Sequence, residues 1–151
     1  MKERLALSKD WLVERNATVM ATTPFVRMDD TMLAEYENCA QTFKVLQQFT
    51  EGHNLTTQDL MREQPTHSGD INLVGIMCDL LLVQCENITL IKRMQAEQIE
   101  LVCSTLDTLV EVLQGPCVGN QDFIANHMCM SVITIILEVT IIDHRPLTTD
   151  Y

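Results

Sequence analysis

The chain has 151 residues, 46 % of them hydrophobic and only 5 % aromatic, with five glycines and four prolines. That suffices for one domain with a real core but hardly for two, and the aliphatic, Met-rich balance suits packed helices better than a β-sandwich. A net charge of −11 argues against nucleic acid, whose phosphates need clusters of Lys and Arg, and no polybasic stretch is present to hold an acidic membrane surface.

Taken in chain order, "MKERLALSKDWLVER" mixes charges throughout and lacks the uninterrupted apolar core of a signal peptide. Residues 2 to 20 carry a weak helical pattern with Trp11 and Leu12 on the apolar side, and residues 21 to 30 read as a linker, since Thr23 precedes Pro24. Residues 1–30 are therefore an unassigned helix and linker, 31–143 the helical domain, and 144–151 a tail. Asp29, Asp30 or Thr31 offers an N-cap to a helix in which Leu33, Tyr36, Ala40, Phe43 and Leu46 recur on one side. It stops near Gly52, a natural C′ residue. Thr56 or Thr57 is expected to cap a short helix, "QDLMREQ", closed by Pro65.

Asp70 is the expected cap of "INLVGIMCDLLLVQC", apolar on nearly every side and so central. "ENITLIKRM" reads as a short linking helix. The next helix is the clearest, with Ile99, Val102, Leu106, Leu109 and Leu113 on one face and an end at Gly115-Pro116. Asn120 is expected to cap "QDFIANH". The last helix runs from about Met128 to Asp143; it contains Glu138, falls short of the ~20 residues that cross a bilayer, and reads as a buried core helix. No membrane insertion by this chain is expected.

An internal echo organises these elements. "VLQQFTEGHNLTTQDLM" (45 to 61) and "VLQGPCVGNQDFIANH" (112 to 127) both run Val-Leu-Gln, then Gly, Asn, and Gln-Asp before two apolar residues. Each follows a long helix and precedes a short one. Such units expose an apolar face that stacking would bury. The expected fold is all-α, an armadillo-like α-solenoid fragment of about two three-helix units. In the second turn Gln121 is placed to bond back to carbonyls freed at the preceding helix end. With two repeats and no polar capping repeat, the chain reads as a piece of something longer.

Enzyme signatures are missing: no G-x-S-x-G, no H-E-x-x-H, no glycine-rich phosphate loop. No enzyme is expected. His53, His67, His127 and His144 lie apart, and Cys117 and Cys129 near His127 match no zinc spacing. Cys39, Cys78, Cys85, Cys103, Cys117 and Cys129 form no C-x-x-C pair and read as reduced, small hydrophobes. Asn16, Asn54 and Asn87 open Asn-x-Thr sequons that have meaning only in a secreted chain.

One feature stands out. Glu51 immediately precedes Gly52 and Glu111 lies four residues before Gly115, so both carboxylates sit in or just past a last helical turn, where the macrodipole disfavours anions by ~0.3–1 kcal/mol. His53 and Gln114 lie beside them. Stacked repeats would bring the two ends together, and carboxylates about 4 Å apart repel by ~4 kcal/mol at an effective dielectric near 20. A divalent cation reverses both penalties, and carboxylate and amide oxygens are the hard ligands Ca²⁺ takes. The plainer reading of the same spacing is two solvated helix-end residues.

"FKVLQQFTEGHNLTTQDLMREQ" with "INLVGIMCDLLL", and later "TLVEVLQGPCVGNQDFIANH", resemble the core of the RIH-associated domain shared by inositol trisphosphate receptors and ryanodine receptors. The resemblance covers about residues 40 to 140; residues 1 to 30 and "HRPLTTDY" lie outside it. It implies a cytosolic armadillo-like segment next to a channel pore that helps form the Ca²⁺-sensing site for release from the endoplasmic or sarcoplasmic reticulum. The two sensing glutamates then fall on Glu51 and Glu111, with His53 and Gln114 flanking, as a partial Ca²⁺ site whose further oxygen ligand comes from a pore-proximal segment. The implied function is a non-catalytic regulatory and structural module of an intracellular calcium-release channel, its partners the channel's other domains and subunits. The stretch "VQCENITLIKRMQAEQIE" is shorter than the family's and lacks its glycine-containing insert. The alternative is an armadillo-like interaction scaffold with no metal site.

Overall fold

A computed structural model describes residues 29–64 and 71–143. Every element among them is a helix: α1 (Asp30–Thr50), α2 (Leu55–Leu60), α3 (Leu73–Gln84), α4 (Ile88–Lys92), α5 (Ala96–Leu113), α6 (Val118–Ala125) and α7 (Cys129–Asp143). The all-α expectation holds. The expected helix over residues 2 to 20, the linker before Asp29, the Asp70 cap and the C-terminal tail lie outside the described residues.

Short polar side chains open most of these helices. Asp29 caps α1, its Oδ1 accepting from the Met32 amide at 2.8 Å. Asn54, rather than Thr56 or Thr57, caps α2 and accepts from both of their amides at 3.0 and 3.3 Å. Asn72 and Asn87 cap α3 and α4 in the same way, so two of the three sequon asparagines are helix caps. The first unit's short helix ends at Leu60, earlier than expected, because Gln64 folds back on it. Its Nε2 donates to the carbonyls of Leu60 and Ile71 while its Oε1 accepts from the Ile71 amide.

Side-chain bonds fix how the two long helices pack. Gln98 Nε2 meets the Tyr36 hydroxyl at 3.4 Å, the Thr108 hydroxyl shares its one proton between the Phe43 carbonyl at 3.1 Å and its own helix, and Gly115 lies against His53. The partners ascend together, so α1 and α5 run parallel and finish at the same end. Lys44 and Glu100 tie their rim at 2.9 Å, an exposed pair that adds little. α3 is central as expected, packing on α5, α6 and α7 and burying Leu73, Val74, Met77, Cys78, Leu80 and Leu81.

Two faces differ from expectation. On α5 the buried residues are Gln98, Leu101, Val102, Ser104, Thr105, Thr108, Leu109 and Val112, while Ile99 is 50 % exposed and Leu106 half-buried. The helix is held between α1 and α3, so it buries a wider arc than one stripe. Thr105 and Thr108 join that arc by returning their hydroxyls to Leu101 and Ser104 carbonyls at 2.7 Å, which removes the cost of burying them. α7 is not buried all round. Cys129, Val132 and Val139 face inward, but Met130 and Leu137 are exposed.

No disulfide joins any of the six cysteines; five are buried and Cys103, on α5, is exposed rather than packed. No single helix among the described residues is long and apolar enough to cross a membrane; α6 and α7 pass that test only as a pair bent by 73°. The packing makes a simple contrast testable. Leu109→Ala should cost ~2–5 kcal/mol in a urea titration, and Ile99→Ala should stay within about 0.5 kcal/mol.

Candidate functional site

The two tight turns are copies, in the register of the Gln58-Asp59 and Gln121-Asp122 tails rather than that of the Val-Leu-Gln strings. Glu51 and Gln114 are the C-caps of α1 and α5, and Gly52 and Gly115 follow with φ of +82° and +92°. Asn54 and Cys117 then hold the N-cap positions of α2 and α6. Gln58 thus corresponds to Gln121 and Asp59 to Asp122, whereas matching the Val-Leu-Gln strings would misplace the turn. The cap of α6 is accordingly Cys117, not Asn120, and it makes no side-chain cap bond.

A helix leaves its last carbonyls without intrahelical donors. At the end of α5 three side-chain amides supply them. Gln58 Nε2 donates to the carbonyls of Glu111 and Gln114 at 2.7 and 2.6 Å. Gln121 Nε2 takes those of Leu113 and Gly115 at 2.9 and 3.0 Å, as the sequence led us to expect. Asn120 Nδ2 donates to the Val112 carbonyl at 3.3 Å and to that of Gln58 at 2.8 Å. Gln58 and Asn120 are fully buried; the Asn120 bonds form away from water and the Gln58 bonds partly so, and both matter more than exposed ones. Gln58 Oε1 is buried without a partner.

Arg62 closes the arrangement from the first unit. Its Nη1 donates to Asn120 Oδ1 at 2.6 Å, its Nε pairs with Glu63 at 2.9 Å and its Nη2 lies 3.6 Å from Asp59. The guanidinium lies so close to Gly119 that a Cβ there would run into it. The Cys117 thiol donates to Asp59 Oδ1 at 3.2 Å, and burial pushes that thiol up. Cys117 is therefore a neutral donor at the start of α6, held apart from His127 and Cys129 beyond its other end.

The sequence-predicted residues gather at this junction. Glu51 and His53 are exposed on the turn after α1, Glu111 is half-buried in the last turn of α5, and Gln114 is exposed just after it. His53 adopts a left-handed φ of +59°, and a Cβ on Gly115 would lie 2.9 Å from His53 Cβ, so the ends of α1 and α5 are in direct contact there. Neither last turn contains a basic residue. The carbonyls of Glu111 and Gln114 already serve Gln58, so at the end of α5 the carboxylate and the exposed side chains are the groups not yet engaged. Gln58, Asn120 and Arg62 were not singled out as the residues joining the units. The pairing of Gln58-Asp59 with Gln121-Asp122 was the available signal.

Residues 33–137 match the family described as RyR and IP3R Homology associated. The chain belongs to that family. Over 112 residues it is 30 % identical to the Inositol 1,4,5-trisphosphate receptor itr-1 of Caenorhabditis elegans, a match covering 72 % of this chain and 4 % of the receptor. No solved structure matches the chain. The family resemblance expected from the Glu-Gly-His-Asn and Gln-Gly-Pro-Cys strings is therefore correct.

Two substitutions probe the junction. Gln58→Met keeps the bulk but strands two partly buried carbonyls, and should cost roughly 1–3 kcal/mol by denaturant titration; Gln121→Met, at an exposed site open to water, should cost under about 1 kcal/mol. Gly115→Ala forces a left-handed alanine against His53 and should lose about 1–3 kcal/mol, read as a lowered denaturation midpoint.

Proposed function

We propose that this chain is a non-catalytic, cytosolic regulatory module of an intracellular calcium-release channel, and that it takes Ca²⁺ where the helix ends of its two units meet. Glu51 and Glu111 supply the carboxylates, with His53 and Gln114 flanking. One observation carries this reading: α1 and α5 are parallel and touch at His53 and Gly115, bringing together two negative helix ends, each carrying a glutamate and neither a base in its last turn. Such a place favours a cation, and carboxylate oxygen is the ligand type Ca²⁺ prefers.

The proposed gating element is the seam between the two units. A cation bridging the ends of α1 and α5 would stabilise one arrangement of that seam over another, and only such differential binding shifts an equilibrium. The channel's other domains and subunits are the proposed partners, at the cytosolic face of the endoplasmic or sarcoplasmic reticulum. The membership in a family named for both receptor types and the match to a worm inositol trisphosphate receptor support that placement. A second reading, a protein-interaction scaffold without a metal site, draws on Val45 and Phe49, which expose 52 % and 66 % of their surface on α1.

Calorimetric titration of the chain with Ca²⁺ separates these readings. The account expects saturable heat at the weak end of calcium sites, about 10⁻⁴–10⁻³ M, abolished in both Glu51→Gln and Glu111→Gln. Heat that survives either substitution, or none in the presence of several millimolar Ca²⁺, favours the scaffold.

A further inference from the structure

Beyond α6 the chain bends through 73° into α7, and the bend lays His127 and Cys129 against Cys78 in the middle of α3. Ligand atoms of these three side chains all lie within 4.8 Å of one another. Both cysteines are fully buried. The His127 side chain is 21 % exposed and borders an open groove of about 730 Å³ shared with Arg62, Asn72 and Phe123, so the imidazole edge of the cluster is reached from solvent while the two thiols lie behind it.

The histidine is held in a definite way. Its Nδ1 accepts from the Cys129 amide at 3.2 Å, which leaves the proton on Nε2, and Nε2 lies 3.6 Å from Asp79 Oδ1. The Phe123 ring stacks on the imidazole with centroids 5.5 Å apart. Metal-bound histidines almost always present their second ring N–H to a carboxylate or carbonyl, which fixes the tautomer. Asp79 stands where that second partner belongs.

We infer that Cys78, Cys129 and His127 form a binding site for a zinc-like divalent cation, with two sulfurs and Nδ1 as ligands, Asp79 behind the imidazole, and a fourth position facing the groove. Zinc–sulfur and zinc–nitrogen bonds of about 2.3 and 2.0 Å place tetrahedral ligands roughly 3.5–4 Å apart, so the cluster must tighten by only about 1 Å. Thiolate and imidazole select zinc over Ca²⁺ or Mg²⁺. Burial, followed by the neighbouring Cys129 thiol, pushes the Cys78 thiol up, so the empty site holds a thiol there. Loading is an exchange: the cation enters, each cysteine releases its proton to water, Nδ1 gives up the Cys129 amide hydrogen bond, and two metal–sulfur bonds and one metal–nitrogen bond form. The dication and two thiolates leave no net charge in the core, which burial tolerates far better than an unpaired ion. The bound metal would pin α3 to the α6–α7 bend, independently of the carboxylates at the other end of α6.

The test uses the full 151-residue chain, reduced and stripped of metal, titrated with Co²⁺ as an optical probe. We expect one Co²⁺ per chain, a thiolate-to-cobalt absorption band in the near ultraviolet, and loss of that band with one equivalent of Zn²⁺ but not with millimolar Ca²⁺. Cys129→Ser and His127→Ala should weaken binding at least about tenfold, and Asp79→Asn by about 10–100-fold, while Cys103→Ser leaves it unchanged. Circular dichroism checks that each variant keeps its helices. If buried Cys129→Ser unfolds, the partly exposed His127 and Asp79 decide the matter. Absence of the thiolate band, or undiminished affinity in folded His127→Ala and Asp79→Asn, overturns the site.

Discussion

Five successive carbonyls at the end of α5, from Glu111 to Gly115, receive their hydrogen bonds from three side-chain amides. One of those amides, Gln58, belongs to the first unit; the others, Asn120 and Gln121, belong to the second. The turn after α5 is therefore completed only when α2 lies against it. Because buried carbonyls without donors are costly, this requirement sets how the two units meet. Arg62 extends the link by holding Asn120 Oδ1, and Gly119 has no side chain because the guanidinium occupies the space.

The same requirement shapes the candidate calcium site. With the carbonyls at the end of α5 committed to amides, that helix end offers a cation chiefly side-chain oxygens. The parallel course of α1 and α5 then puts both carboxylate-bearing ends on one side of the molecule. At the other end of α6 the chemistry changes from carboxylates to thiols and an imidazole. Hard and soft donors are thus separated by one short helix of eight residues, about 12 Å of rise. A calcium-like and a zinc-like cation would not compete there.

Much of the fold was legible because its signals are local. The stripe of Tyr36, Ala40, Phe43 and Leu46 is buried as the three- and four-residue spacing implies, the uniformly apolar α3 is central, and Gln121 returns to the preceding helix end. What escaped depends on contacts between units. The buried Thr105 and Thr108 look polar until their hydroxyls are seen to return to their own helix. Asn120 has the composition of a cap, yet the demand for a donor at Val112 and Gln58 places it inside α6. Ile99 fits the apolar spacing yet is 50 % exposed, because which part of an apolar stripe is covered depends on the neighbours rather than on periodicity. For the candidate site, the glutamates were visible from their distance to Gly52 and Gly115, whereas Cys78 meeting His127 and Cys129 follows only from the α6–α7 bend.

The central claim is that buried amides from both units hold the α5 end, and exchange of side-chain amide protons measured by nuclear magnetic resonance tests it most directly. The account predicts that the Gln58 and Asn120 side-chain amides exchange orders of magnitude more slowly than that of exposed Gln48, and that Gln58→Met releases protection at Asn120 as well. Exchange of Gln58 as fast as Gln48 in the folded chain would contradict it.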